Sequence, residues 1–123
     1  MSLKRILIVD DVEDNRVILQ DWLEEDYELF QAATGVEALE FLEQESIDLV
    51  LLDLSLPEMS GLEVIEKIRK SPKFLNLPVI AVTAYTSSAD ESEALKAGFD
   101  AFLAKPFKVK LLFETIEAAL KET

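Results

Sequence analysis

The sequence contains no cysteine and no histidine. A chain without cysteine has no disulfide and no thiolate metal site, and a chain without histidine has no imidazole base and no Ser-His or Cys-His pair. Basic residues are scarce as well, because 12 lysines and arginines stand against 25 aspartates and glutamates, for a formal net charge of −13. That charge repels nucleic acid and anionic lipid, so neither direct nucleic-acid binding nor membrane insertion is expected.

Long hydrophobic runs are also missing. The N-terminal stretch MSLKRILIVDD has a basic start, but its apolar run, Ile6–Val9, is too short for a signal peptide or a membrane span. The absence of cysteine fits a reducing compartment, and a cytoplasmic location is expected. With 123 residues, 50% of them hydrophobic, the sequence predicts one domain over residues 1–123.

Five short segments have the composition of strands. Four are unalternated aliphatic runs, typical of strands buried on both faces of a parallel sheet, whereas Tyr27–Ala32 alternates like an edge strand. The four runs are Ile6–Val9, Leu49–Leu52, Val79–Val82 and Ala101–Ala104.

Segments with helical spacing of apolar residues lie between these runs. The predicted helices are Val12–Glu25, Val36–Gln44, Leu62–Lys70, Ser88–Ala97 and Val109–Lys121. Residues predicted to face the core include Val12, Asn15, Leu19, Trp22 and Leu23 in the first helix, Val36, Leu39 and Leu42 in the second, and Ala94 and Leu95 in the fourth. Strand–helix units repeated in this way predict an α/β fold with a doubly wound, five-stranded parallel sheet.

Polar residues follow four of the predicted strands directly. Asp10 and Asp11 come after the first strand, Asp53 after the third, Thr83 after the fourth and Lys105 after the fifth. Ligands of doubly wound sheets bind beyond the carboxyl ends of the strands. Because parallel strands end at the same edge, these side chains are expected to converge there.

Each of these residues also has a less specific interpretation. Asp11 or Asp14 could cap the first helix, and Asp53 could simply end its strand. Threonine is common in strands, so Thr83 alone is weak evidence, and Lys105 could pair with a surface carboxylate. Their joint occurrence at one predicted edge favours a functional site.

Carboxylates held close together repel one another unless a cation neutralises them. Mg²⁺ is the natural cation, since it prefers oxygen ligands and takes its remaining ligands from water and phosphate. A lysine and a threonine nearby would hold further anionic oxygens. The set therefore predicts stabilisation of a phosphoryl group bonded to, or moving onto, an aspartate.

Four motifs together resemble one protein family. They are LIVDD (Leu7–Asp11), LLDLSLPEMSG (Leu51–Gly61), VIAVTA (Val79–Ala84) and AFLAKPF (Ala101–Phe107). In these motifs, and in their order along the whole domain, the chain closely resembles the receiver domain of two-component response regulators. The resemblance implies a flavodoxin-like fold with strand order 2-1-3-4-5.

The resemblance also implies roles at the acidic residues. Asp53 is expected to be the phosphoacceptor and a Mg²⁺ ligand. Asp11 is expected to bind Mg²⁺ directly, and Asp10 largely through water. The backbone carbonyl of Ser55 would supply a further ligand.

The same resemblance implies a switch beside the acids. Lys105 would contact the phosphoryl oxygens, and its peptide bond to Pro106 is expected to be cis. Thr83 would donate a hydrogen bond to the phosphoryl group, and Phe102 matches the switch aromatic that turns inward when Thr83 moves. Tyr85 near the site mouth is hypothesised to slow hydrolysis of the phosphoryl group by its bulk.

Partners follow from the same family. A sensor histidine kinase or a histidine phosphotransfer protein would donate the phosphoryl group. The fourth helix, fifth strand and fifth helix would form the output face, and the signal would pass to a downstream protein or within a larger chain.

Other readings of the sequence stay open at this point. An aspartate-nucleophile phosphohydrolase would carry a second aspartate where this chain has Ser55. A flavodoxin-like nucleotide-binding module would carry a glycine-rich loop where this chain has DDVEDN. A receiver-shaped interaction module that is never phosphorylated is the third alternative.

Overall fold

The computed structural model describes residues 3–84 and 88–121, and confirms the predicted fold class. Five strands form one sheet in the order β2-β1-β3-β4-β5, and every neighbouring pair is parallel. The strands are β1 (Arg5–Val9), β2 (Glu28–Ala32), β3 (Leu49–Asp53), β4 (Val79–Thr83) and β5 (Ala101–Ala104). The helices are α1 (Glu13–Leu23), α2 (Gly35–Gln44), α3 (Gly61–Lys70), α4 (Ser88–Ala97) and α5 (Val109–Lys121).

The sheet is covered by helices on both faces. Leu7 and Val9 of β1 pack into a cluster that includes buried residues of α2, α3 and α4. Ile6 and Ile8 of the same strand pack into a second cluster with α1 and α5. Because successive residues of a strand point to opposite faces, both sets must be apolar. This explains why the aliphatic runs show no alternation.

The two edge strands differ in how well the sequence predicted them. β2 lies at one edge, as its alternating pattern indicates. β5 lies at the other edge, where only Leu103 is buried and the other residues of the strand are half-buried. The prediction that Ala101–Ala104 is buried on both faces is therefore wrong, because the strand has a neighbour on one side only.

Several residues predicted to face the core are exposed instead. Val12 is 47% exposed, Trp22 39%, Val36 48% and Leu95 44%. In α2 the buried residues are Gly35, Ala38 and Leu42, so the face that packs on the core includes Gly35. Val36 follows Gly35 and lies about 100° further around the helix, which turns it towards solvent.

The start of α3 packs closely against the end of β3. A Cβ atom at Gly61 would lie 2.6 Å from the backbone oxygen of Asp53 and 2.7 Å from the Cα atom of Leu54. The amide of Gly61 also donates to the carbonyl of Leu54, at 3.0 Å. Only glycine permits this approach, which fixes the backbone directly after Asp53.

Gly61→Ala is accordingly expected to destabilise the protein by about 3 kcal/mol, because backbone atoms must shift to admit the methyl group. Chemical denaturation followed by the fluorescence of Trp22, the single tryptophan, measures this change. Glu66→Ala, on the exposed side of α3, is the control and should change stability by less than about 0.5 kcal/mol. An unchanged midpoint for Gly61→Ala would show that the loop yields more easily than the geometry indicates.

Candidate functional site

Three carboxylates meet at the carboxyl ends of β1 and β3. One oxygen each of Asp10, Asp11 and Asp53 lies within 4.8 Å of the others. β3 is flanked by β1 and β4, so Asp53 sits near the middle of this edge of the sheet. Asp10 is 2% exposed and Asp53 7% exposed, whereas Asp11 is open to solvent. Two acids are therefore buried at the base of the cluster, and the third faces outward.

Lys105 links the two buried acids. Its Nζ atom lies 3.1 Å from Oδ2 of Asp10 and 3.0 Å from Oδ2 of Asp53. The lysine follows β5, 95 residues after Asp10, and reaches the cluster because β4 and β5 end at the same edge. Its ammonium offsets part of the repulsion between the carboxylates.

The oxygens of Asp10 accept hydrogen bonds within the protein. Oδ1 accepts from the amide of Val12 at 2.9 Å, and Oδ2 accepts from Nδ2 of Asn15 at 3.2 Å in addition to Lys105. Val12 is the N-cap of α1 and makes no side-chain cap bond. The alternative that Asp11 or Asp14 caps this helix is therefore wrong.

Asp53 is held by the loop that follows it. The amide of Ser55 donates to Oδ1 at 2.8 Å, while Lys105 occupies Oδ2. Burial raises the pKa of Asp53 above its ordinary value of 3.8, and outweighs the lowering by Ser55 and Lys105. Burial alone would lower the pKa of Lys105, but its bonds and charge interactions with Asp53 and Asp10 raise it above 10.5.

The raised pKa of Asp53 has a consequence for stability. A carboxyl group with a raised pKa binds its proton more tightly in the folded state, so the free energy of unfolding falls as pH rises from 3.8 through the folded pKa. Asp53→Asn removes this loss and is expected to stabilise the metal-free protein at neutral pH.

The stability difference between Asp53→Asn and the unsubstituted protein should widen as pH rises through that window and then level off. Urea unfolding in EDTA at a series of pH values measures it. Asp14→Asn, which removes an exposed carboxylate, is the matched control. A difference that shrinks with rising pH would contradict the sign of the pKa shift.

The remaining predicted residues lie around this cluster. Thr83 is buried at the end of β4, and its carbonyl accepts from the amide of Lys105 at 2.7 Å. The Lys105–Pro106 peptide bond is cis. Phe102 on β5 is half-buried and packs against the core cluster of α2, α3 and α4. Tyr85 lies outside the described residues.

Sequence reasoning missed two residues of α1 that contact Asp10. Asn15 was predicted to face the core, but its amide donates to the carboxylate of Asp10. The guanidinium of Arg16 donates to the backbone carbonyl of Asp10, at 2.7 Å. The available signal was their position one helical turn after the acid pair, where helix geometry brings side chains back over the start of the helix.

The donor set fits a hard divalent cation. Carboxylate oxygens are the ligands that Mg²⁺ prefers, and a cluster of three with one side open leaves room for water or phosphate oxygens. The structure thus defines a doubly wound α/β protein with an acidic, lysine-containing ligand site at the carboxyl edge of its sheet.

Comparison with known proteins identifies the family. The response regulator receiver domain matches residues 6–117. The polar-differentiation response regulator DivK of Brucella ovis is 37% identical over 118 residues, which cover 95% of this chain and 96% of that protein. The chain belongs to the response regulator receiver domain family.

Solved structures agree with this assignment. A CheY-like receiver domain protein from Methanospirillum hungatei superposes with a TM-score of 0.90 at 41% identity, covering 98% of this chain and 96% of that one. The receiver domain of the sensor histidine kinase PA1611 from Pseudomonas aeruginosa superposes with a TM-score of 0.89 at 29% identity, covering 98% and 99%. The latter structure contains a magnesium ion coordinated in its active-site cleft.

The family and the fold place this chain among two-component signalling proteins. Residues 3–84 and 88–121 include no helix with the length and apolar character needed to cross a membrane.

Proposed function

We propose that this chain accepts a phosphoryl group on Asp53, in a reaction that depends on Mg²⁺, and that phosphorylation changes a protein-binding face. The observation that carries the proposal is the position of Lys105, whose ammonium contacts both Asp10 and Asp53 beside the exposed carboxylate of Asp11. A nucleophile, a cluster of metal ligands and a cation for phosphoryl oxygens thereby lie within one site.

Asp11 is the carboxylate best placed to bind the metal directly, because it is exposed and lies beside the other two acids. Asp10 accepts hydrogen bonds at both oxygens and would act largely through water. Asp53 and the backbone carbonyl of Ser55 complete the proposed set. When bound, Mg²⁺ would neutralise charge on the phosphoryl oxygens.

For phosphoryl transfer the protein mainly has to position the reacting groups and stabilise the negative charge on the phosphoryl oxygens. A carboxylate oxygen of Asp53 attacks phosphorus in line, a P–O bond forms, and the bond from phosphorus to the donor breaks. With a phosphohistidine donor, the electron pair leaves on the imidazole nitrogen. Lys105 then pairs with the phosphoryl oxygens instead of the two carboxylates, and Thr83 donates its hydroxyl to another.

The output face proposed for this signal lies beside the site. Thr83 and Lys105 connect the site to α4, β5 and α5, and Phe102 lies on the strand between those helices. A depression of about 470 Å³ there is lined by side chains that include Phe102 and the 47% exposed Leu111. Movement of Thr83 and Phe102 would change the shape of this surface, which a partner protein reads.

Stoichiometric phosphorylation, and not turnover, is proposed as the activity. Position 55 is a serine with an exposed side chain, and its amide is already bonded to Asp53. The site therefore offers no second carboxylic acid at the position where a phosphohydrolase needs a proton donor. Any hydrolysis of the aspartyl phosphate would be a self-catalysed loss of the label.

The remaining assignments also belong to this proposal. A histidine kinase or phosphotransfer protein donates the phosphoryl group, and the cytoplasm is the proposed location of the exchange. In this proposal residues 1–123 form one receiver domain, supported by the match over residues 6–117 and by a single sheet that contains every described strand.

The test is chemical labelling of the purified protein. Incubation with acetyl phosphate and Mg²⁺ is expected to add one phosphoryl group that is stable in acid and labile in base. Hydroxylamine trapping followed by peptide mapping should locate it at Asp53. EDTA is the control and should prevent labelling. A label independent of Mg²⁺, or on a peptide without Asp53, would contradict the proposal.

A further inference from the structure

The peptide that joins Asp10 to Asp11 is held by a side chain of α1. Nη1 of Arg16 donates to the carbonyl of Asp10 at 2.7 Å, while Nε of the same guanidinium donates to Oε1 of Gln31 on β2 at 3.0 Å. The amide of Asp10 donates in turn to the carbonyl of Ala32, at 3.1 Å. The backbone on both sides of Asp10 is thus anchored to neighbouring elements.

Asp11 has no comparable anchor of its own. Across residues 3–84 and 88–121, no protein donor is hydrogen-bonded to its exposed carboxylate. The orientation of the peptide before Asp11 sets the direction of its Cα–Cβ bond, from which that carboxylate projects. Arg16 holds the carbonyl of this peptide with a charged donor, which makes a stronger hydrogen bond than a neutral one.

We propose that Arg16 is a positioning residue of the metal site: it orients the Asp10–Asp11 peptide, and through it the carboxylate of Asp11 that binds Mg²⁺. This inference rests on the proposed metal site and adds a residue that makes no contact with the metal. Groups that orient metal ligands from behind commonly change metal affinity when they are removed.

Whether Mg²⁺ affinity falls or rises when Arg16 is removed distinguishes the positioning role from a purely electrostatic one. Arg16 places a positive charge on the backbone carbonyl between Asp10 and Asp11, so loss of the charge alone would strengthen Mg²⁺ binding. Loss of the orienting hydrogen bond would weaken it. If Arg16 only held α1 against β2, its removal would lower the thermal stability and leave Mg²⁺ affinity unchanged.

The experiment is a Mg²⁺ titration of the unphosphorylated protein at constant ionic strength. Fluorescence of Trp22, which lines a groove with Asp10 and Lys105, is the first readout. The rise in thermal midpoint with Mg²⁺ concentration is the second and does not depend on the tryptophan. Arg16→Ala is expected to weaken Mg²⁺ binding about 10-fold.

Two further variants separate the loss of the hydrogen bond from the loss of positive charge as the cause of weaker Mg²⁺ binding. Arg16→Lys keeps the charge but loses the planar fork, and its affinity should lie between those of the unsubstituted protein and Arg16→Ala. Lys108→Ala removes an exposed positive charge in the loop after β5 and should leave affinity equal or slightly higher. With acetyl phosphate, Arg16→Ala should raise the Mg²⁺ concentration for half-maximal labelling while the rate at saturating Mg²⁺ stays the same.

Equal or tighter Mg²⁺ binding by Arg16→Ala would overturn the inference. If Arg16→Ala does not fold, Gln31→Ala replaces it, since that change frees Nε of Arg16 and should weaken binding by a smaller factor. Asp11→Asn distinguishes failure of the proposed role of Arg16 from failure of the proposed metal site. If the unsubstituted protein responds to Mg²⁺ and Asp11→Asn does not, the metal site stands whatever Arg16 does; if neither responds, both proposals fail.

Discussion

Asp53→Asn is expected to eliminate phosphoryl labelling by acetyl phosphate, with a fall of at least about 10³-fold in the rate. The carboxamide has nearly the shape of the carboxylate but offers no anionic oxygen to attack phosphorus. The change leaves the rest of the site in place, because Lys105 keeps its contact with Asp10. Intact-mass analysis over time, with Mg²⁺ in excess, measures the result.

Two controls make this result specific. Asp14→Asn removes an exposed carboxylate near the same site and should label like the unsubstituted protein. Asp11→Asn keeps the nucleophile and loses the proposed metal ligand, so its labelling should recover partly at high Mg²⁺ concentration. Persistent labelling of Asp53→Asn on Asp11 or Asp14 would show that the acceptor has been misassigned.

Lys105→Ala is expected to lower the rate of labelling about 100-fold at saturating Mg²⁺. Among the described residues that contact the acids, Lys105 supplies the only ammonium within 4.0 Å, and charge on the phosphoryl oxygens grows during transfer. In Lys105→Ala this preorganised positive charge is absent while the phosphoryl group is being transferred. A time course of labelling at several Mg²⁺ concentrations provides the measurement.

The same variant makes a second, independent prediction. Without Lys105, Asp10 and Asp53 lose the cation that offsets their repulsion, so Mg²⁺ should raise the thermal midpoint of Lys105→Ala more than that of the unsubstituted protein. Lys108→Ala, three residues further along the chain and exposed, is the matched control for both measurements. Normal labelling by Lys105→Ala would refute its role in transfer.

The strand-end residues were predictable because two regular features of the chain place them. Aliphatic runs define where each strand ends, and parallel strands end at a common edge, so Asp10, Asp53 and Lys105 had to lie near one another. A helix cap, a strand end or a surface ion pair could explain any one of these residues alone, but these interpretations do not explain why all of them lie at one edge. Which of them are buried, and which oxygen bonds to which donor, required the folded chain.

The errors in the helices share one cause, which is that an apolar pattern in a short helix leaves the direction of its buried face uncertain. Trp22 and Val36 fit an apolar stripe in the sequence, yet both are more than a third exposed. Because consecutive residues lie about 100° apart around a helix, a buried face assigned one residue away from its true position exposes side chains that were expected in the core. Asn15 was misplaced for the same reason, and the site thereby gained a donor that the sequence had assigned to the core.

Local periodicity and the rules common to parallel sheets were enough to predict the chain order of strands and helices, the doubly wound class and the acids at the strand ends. The contacts between these groups could be read only from the folded chain. The bond from Lys105 to Asp10 spans 95 residues, and the bond from Arg16 to the Asp10 carbonyl depends on the rotation of α1. Such contacts are set by the packing of whole elements against one another, which a linear pattern of residues does not specify.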